Sequence, residues 1–178
     1  MTAFSDFGLE PRILEAIQGL GFETPTPIQS RAVPVLLEGV DVVGRARTGS
    51  GKTAAFGLPL LHRLQDGGKT VRALILAPTR ELAIQVGEAL ESFATNLPIR
   101  VATIYGGASY GPQLKALKKG VDIVVGTPGR VIDHIERGTL DLSHVEVLVL
   151  DEADEMLRMG FIEPVEFVLS SVPDDRQI

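Results

Sequence analysis

The stretch Val42-Val43-Gly44-Arg45-Ala46-Arg47-Thr48-Gly49-Ser50-Gly51-Lys52-Thr53 decides how the rest of the chain is read. Two β-branched residues run into a loop carrying Gly49 and Gly51, which closes on Lys-Thr and continues as Ala54-Ala55-Phe56. That order predicts a strand, a tight loop and the start of a helix. Backbone N–H groups in such a loop can converge on a phosphate, the helix N-terminus adds partial positive charge, and Lys52 adds a full one. The loop residues Arg47, Thr48, Gly49, Ser50, Gly51, Lys52 and Thr53 are therefore candidate phosphate binders, with the Thr53 hydroxyl suited to Mg²⁺. Ala46 stands where the strict G-x-x-x-x-G-K-[ST] pattern has its first glycine, so a glycine-rich turn with an incidental lysine is the competing reading.

At 178 residues the chain has the length of one ordinary domain. Its 44% apolar and 22% charged residues describe a folded protein rather than a disordered one. No apolar run approaches the ~18 residues that cross a bilayer, and the first residues lack a basic-then-apolar leader, so a cytoplasmic protein with no membrane partner is expected. The absence of cysteine excludes disulfides and thiolate chemistry. A net charge of −6 argues against gripping nucleic acid by bulk electrostatics; any such site must be local. Acids crowd the stretch from Asp151 to Asp175, while Lys115, Lys118 and Lys119 form a small basic cluster read as a solvated helix face.

Leu9, Ile13, Leu14 and Ile17 recur at helical spacing behind Pro11, predicting a short amphipathic helix that stops near Gly19. A second helix is predicted from Thr26-Pro27-Ile28-Gln29 to Gly39, with Pro34 perturbing its middle. From Val40 onward five aliphatic runs, 40–44, 71–77, 99–105, 121–126 and 145–150, alternate with helical patterns. The runs are continuous rather than alternating in polarity, as in strands buried on both faces of a parallel sheet. The expected fold is α/β: an open parallel sheet with helices on both faces and ligands at the carboxyl ends of its strands. Residues 1–39 are then a helical segment of the same lobe, and 40–178 its core.

Four of those strand ends carry polar signatures. Asp151 closes the last run, where a carboxylate can hold the water shell of a Mg²⁺ that also contacts Thr53 and the phosphates. Glu152 can orient, or take a proton from, a water attacking the γ-phosphate. Alone, Asp151-Glu152-Ala153-Asp154 also fits an acidic helix N-terminus; paired with a phosphate loop it favours catalysis. Pro78-Thr79-Arg80 and Thr127-Pro128-Gly129-Arg130 each place a threonine at a helix cap and an arginine in the first turn. Capping explains the threonines, yet two such termini beside Gly106-Gly107 could grip consecutive phosphates of an extended strand, reading backbone and not base. Gln29 completes a T-x-x-Q capping box with Thr26, or pairs with N6 and N7 of adenine while Phe4 or Phe7 stacks on the base. His62, His134 and His144 are isolated and gain no catalytic role from spacing; Met156 and Met159 read as packing.

These residues resemble the DEAD-box RNA helicases of superfamily 2 over essentially the whole chain. The resemblance rests on Gly21-Phe22-Glu23-Thr24-Pro25-Thr26-Pro27-Ile28-Gln29 with Phe4 upstream, Ala46 to Thr53, Pro78-Thr79-Arg80-Glu81-Leu82, Gly106-Gly107, Thr127 to Arg130, and Asp151 to Asp154. Alanine at position 46 is common in that family. The resemblance implies a RecA-like lobe of the P-loop NTPase class that uses ATP and Mg²⁺. Phe4, Phe22, Thr26 and Gln29 then serve the adenine, with Phe4 favoured over Phe7 for stacking. Lys52 and Thr53 serve phosphates and metal, and Asp151 and Glu152 metal and water. Asp154 couples the ATP site to neighbouring motifs. Pro78, Thr79, Arg80, Gly106, Gly107, Thr127, Pro128, Gly129 and Arg130 form half of an RNA groove. Tyr105 to Gln113 and Leu140 to Phe161 are also similar to the heat-resistant bacterial RNA-dependent ATPases of the family. In the family a strand with a Ser-Ala-Thr motif and a second RecA-like lobe follow the point where this sequence stops at Ile178. The sequence is therefore expected to be one lobe, binding nucleotide without unwinding RNA. A stand-alone nucleotide- or RNA-binding module and a DNA-acting superfamily 2 enzyme are the alternatives.

Overall fold

Alternate residues of the same strand serve two different cores. The computed structural model describes residues 3–47 and 49–178; Thr48, one of the expected phosphate-binding residues, lies outside them. Strands β1 (Ala73–Leu76), β2 (Val101–Ile104), β3 (Ile123–Gly126) and β4 (Val147–Leu150) are parallel and lie side by side in the order β2-β3-β1-β4. Ala73, Ile75, Ile123 and Val125 point into one core, Leu74, Leu76, Val124 and Leu148 into the other. Burial on both faces is why these strands read as unbroken aliphatic runs.

The first face is covered by α1 (Pro11–Gly19), α3 (Lys52–Arg63) and α4 (Arg80–Phe93), with α2 (Pro27–Leu37) packed on α3. The second is covered by α5 (Tyr110–Lys119), α6 (Pro128–Glu136), α7 (Ala153–Arg158) and α8 (Ile162–Ser170). This is the expected open α/β sheet with helices on both sides. Helix α2 runs past Pro34, which is exposed, and ends at Leu37, two residues before Gly39 at φ +83°. The basic cluster of α5 is exposed as expected.

One expected strand is absent. Residues 40–44 carry no ladder, and Val43 is 95% exposed. Only residues 177–178 stand between that segment and β4: Gln177 bridges Val147, and the Val42 N–H donates to the Ile178 carbonyl at 3.1 Å. Two intervening residues supply too few ladder bonds to define a strand on either side. The buried Gln177 amide fastens the region instead, donating to Leu36 O at 3.1 Å and Val40 O at 2.9 Å. Met159 also departs from expectation: Met156 is a core residue at 1% exposure, whereas Met159 is 45% exposed beyond the end of α7.

Candidate functional site

The chain leaves β1 toward α4 and β2 on one side, and returns to the other side of β1 with β4. That reversal opens a crevice at the carboxyl ends of β1 and β4, the usual ligand site of an open α/β sheet. Asp151 is held there by its N–H, which donates to Leu76 O at 2.9 Å. Its carboxylate is 2% exposed and pairs through Oδ1 with Lys52 Nζ at 3.0 Å. The partner oxygen Oδ2, and Ser50 Oγ in the loop, are buried with no hydrogen-bond partner among the described residues. Buried polar atoms are rarely left so; Arg72 Nε and Arg176 Nε are the others among the described residues, and they lie outside this crevice's Lys52–Asp151 pair.

Gly51 is the N-cap of α3 at φ +83°, a conformation that side chains resist. A Cβ there would also fall 2.4 Å from Gln29 Nε2. Gln29 lies that close because its amide donates to Gly51 O at 3.1 Å while its oxygen accepts from Thr26 N at 2.9 Å. The capping box with Thr26 is thus real, and the same side chain also ties the loop to α2. One amide hydrogen and one oxygen lone pair of Gln29 remain for a further partner. Phe4 is 6% exposed and packs with Phe7 and Phe22 at centroid distances of 6.0 and 5.9 Å; Phe22 in turn meets Phe93 at 5.7 Å. The structure therefore puts Phe4 in the core beside the Gln29 segment. Arg47 and Gly49 are exposed, and Thr53 is half-buried in the first turn of α3.

Glu152 follows Asp151 with φ +51° and ψ +52°, left-handed geometry that a non-glycine residue adopts at a cost of about 1–2 kcal/mol. Such strain is concentrated at functional sites. Asp154 is exposed and pairs with Arg158 at 3.3 Å.

On the same sheet edge, Thr79 Oγ1 accepts the Leu82 N–H at 3.2 Å and caps α4, behind the buried Pro78. Arg80 is exposed with its guanidinium 4.9 Å from the Tyr105 ring centre. It reaches Gly107, where an added Cβ would lie 3.9 Å from Arg80 Nη1. Thr127 occupies the N-cap of α6, with Pro128 buried at its start and Gly129 exposed, but its hydroxyl makes no capping bond. The expectation of two threonine caps holds for Thr79 and is corrected for Thr127, whose N–H donates to Ile104 O at 3.1 Å while its hydroxyl is left over. Arg130 points back into the protein and donates from Nη1 and Nη2 to Ala108 O, both at 3.1 Å.

The sequence read His134 as isolated and gave Gln113 no role of its own; both are buried polar residues that bond to one another beneath the Gly106-Gly107 loop. Their partners lie too far along the chain for any spacing rule to expose. The ionisable groups there are perturbed. Burial, aided by the charges of Arg130 and Arg137 against the opposing Asp133, holds the His134 pKa below its ordinary value. The Tyr110 phenol, hydrogen-bonded to Asp133, is pushed up. No group of three or more ligating side chains is assembled for a metal among the described residues, and no helix there is long and apolar enough to cross a membrane.

Comparison with known proteins places this geometry. A family model described as DEAD/DEAH box helicase matches residues 26–178. The chain is 55% identical over 177 residues to the ATP-dependent RNA helicase CshA of Listeria monocytogenes, covering 99% of this chain and 34% of that protein. It is 56% identical over 177 residues to the ATP-dependent RNA helicase DeaD of Escherichia coli K12, covering 99% and 28%. A crystal structure of a DEAD box protein from Methanococcus jannaschii superposes with a TM-score of 0.95 at 50% identity, over 100% of this chain and 49% of that one. The chain thus spans about a third of the length of these curated relatives. With its loop, its Asp-Glu-Ala-Asp strand end and its sheet all matched in order, the chain belongs to the DEAD/DEAH box helicase family.

Proposed function

We propose that this chain is the N-terminal ATP- and RNA-binding lobe of a cytoplasmic ATP-dependent RNA helicase, an enzyme that couples ATP binding and hydrolysis to unwinding or remodelling RNA. One observation carries the reading: Lys52 at the start of α3 pairs with the buried Asp151 at the end of β4, whose second oxygen, like Ser50 Oγ in the loop, has no partner among the described residues, on the edge that also presents the starts of α4 and α6. The names of the curated relatives support it. Residues 1–39 supply the adenine-reading segment, 40–178 the core, and a second lobe elsewhere in the whole protein completes both sites.

Hard oxygens beside a lysine fit a magnesium nucleotide. Mg²⁺, when bound, offsets charge on the β- and γ-phosphate oxygens. The Thr53 hydroxyl and Asp151 would hold it, Asp151 partly through water. Lys52 and the N–H groups of the loop from Arg47 to Lys52, Thr48 included, hold the phosphates. Glu152, fixed at the end of β4 by its left-handed backbone, orients the attacking water and accepts its proton. Gln29, seated by Thr26, offers its remaining donor and acceptor to the adenine edge, while Phe4 and Phe22 build the wall beside it. Asp154 exchanges Arg158 for a partner in a neighbouring motif when the lobes close. Pro78, Thr79, Arg80, Gly106, Gly107, Thr127, Pro128 and Gly129 hold RNA phosphates. Arg130 shapes that groove rather than touching RNA.

The test is RNA-stimulated ATP hydrolysis in the whole protein. Glu152→Gln should lower the stimulated rate by at least about a hundredfold, the low end for loss of a general base. This chain alone should bind ADP without unwinding a duplex. Robust unwinding by the chain alone contradicts the lobe reading. A whole protein that binds nucleotide yet never turns over makes this a binding module, and equal competition by DNA and RNA removes the RNA assignment.

A further inference from the structure

The loop Gly106-Gly107 has a shoulder on each side, Tyr105 and Ala108, and each shoulder carbonyl is bonded from beneath. Gln113 Nε2 donates to Tyr105 O at 3.1 Å, and Arg130 donates twice to Ala108 O at 3.1 Å. The two braces are joined, because Arg130 Nη1 also donates to Gln113 Oε1 at 3.0 Å. That oxygen takes a second bond from His134 Nε2 at 3.2 Å.

The proton positions follow from the partners. Arginine only donates and a backbone carbonyl only accepts, so Gln113 cannot be flipped. Its Oε1 faces His134, so Nε2 of the imidazole carries hydrogen. In the neutral ring Nδ1 is then an acceptor, and the single hydrogen of the Thr139 hydroxyl, 2.8 Å away, turns to it in place of the His134 carbonyl at 3.1 Å. The groups facing this ring are Arg130, Arg137, Asp133 and Tyr110; two cations against one carboxylate, together with burial, favour the neutral form. Tyr110 braces the arginine, with Arg130 4.0 Å and Arg137 3.9 Å from its ring centre.

We propose that Gln113 and His134 are positioning residues for RNA: the imidazole N–H fixes the Gln113 amide, which with Arg130 pins both shoulders of the Gly106-Gly107 loop in the shape that lets its backbone meet a phosphate beside Arg80. This role rests on the RNA-groove reading given above. Pinning in advance lowers the ordering cost of a site made of backbone and glycine, so loss of the brace weakens RNA binding without removing any RNA contact.

The test follows backbone amide signals of the ¹⁵N-labelled chain during titration with a ten-residue oligouridylate. Four proteins are compared: unsubstituted, His134→Leu, Gln113→Met and His134→Gln. The last retains an N–H for Gln113 Oε1, and Gln113→Met covers the case in which His134→Leu does not fold. A long-range proton–nitrogen spectrum of the unsubstituted chain should show His134 protonated at Nε2 alone. In His134→Leu and Gln113→Met the Gly106 and Gly107 amides should move before RNA is added, and RNA affinity should fall at least about fivefold, the scale of one lost neutral hydrogen bond. ADP affinity should stay unchanged, and His134→Gln should recover RNA affinity to within about twofold. Unaltered Gly106 and Gly107 signals, or unaltered RNA affinity, in both apolar variants overturns the role while leaving the groove reading intact. An unsubstituted chain that shows no RNA-dependent shift overturns the groove reading, and this role with it.

Discussion

Gly51 carries two constraints at one Cα. Its φ of +83° belongs to the region glycine enters freely, and the space a Cβ needs is held by the Gln29 amide. Gly51→Ala must strain the backbone and push Gln29 off the Gly51 carbonyl. We expect it to destabilise the chain by about 1–3 kcal/mol, combining left-handed strain with a lost hydrogen bond. ADP affinity should fall by at least about tenfold, since the loop loses its tie to α2. Urea unfolding and calorimetric titration of ADP check the two halves separately. A variant as stable as the parent, binding ADP equally well, contradicts the coupling between loop and glutamine. At this scale much was legible in the sequence: Gly51, Lys52, Asp151 and Gln29 stand in local patterns whose chemistry follows from residue type and order. Phe4 was less so. Its place among Phe7, Phe22 and Phe93 depends on contacts with α4 that no local pattern announces.

Helix termini spelled with similar letters behave differently. Thr79 caps α4 through its hydroxyl, while Thr127 sits at the start of α6 with that hydroxyl unused. Thr79→Ala should cost about 1 kcal/mol of stability, the usual price of a lost cap. Thr127→Ala should leave stability within about 0.5 kcal/mol, as for substitutions that break no such feature. It should weaken RNA binding in the same titration used for the brace. Equal destabilisation by both substitutions contradicts the difference. Helix α6 also carries His134, whose lowered pKa makes stability depend on pH. The unfolded chain binds this proton more readily, so the contribution is complete above the ordinary value of 6.5 and is lost as pH falls from there through the lowered folded value. The urea midpoint should drop more between pH 7.5 and pH 5.5, a window of about two units around that ordinary value, in the parent chain than in His134→Gln. Parallel curves contradict the neutral imidazole. Four aliphatic runs became strands because each found a neighbour over four residues; residues 40–44 did not, because a strand is a property of pairs and the described pairings beside them involve Gln177 and Ile178 alone.

Across the whole molecule, the strand order β2-β3-β1-β4 turns scattered motifs into one edge. The loop before α3, the ends of β1, β3 and β4, and the Gly106-Gly107 loop after β2 all open toward it. Fold class and candidate site were readable because continuous aliphatic runs imply a parallel sheet, and a parallel sheet fixes where ligands sit. The brace of Gln113, Arg130 and His134 was not readable, because its bonds span 17 and 21 residues and join a motif arginine to two side chains, Gln113 and His134, that carry no motif of their own. The same edge predicts that this chain recognises adenine rather than guanine, since a glutamine amide matches N6 and N7 of adenine, and guanine presents O6 where adenine has its amino group. The decisive measurement is calorimetric titration of the chain and of Gln29→Ala with ADP and GDP in the presence of Mg²⁺. ADP should bind at least about tenfold more tightly than GDP to the parent chain, and the preference should vanish in Gln29→Ala. Equal affinity for the two nucleotides in the parent chain, or no binding of either, contradicts an adenine-nucleotide site on this edge.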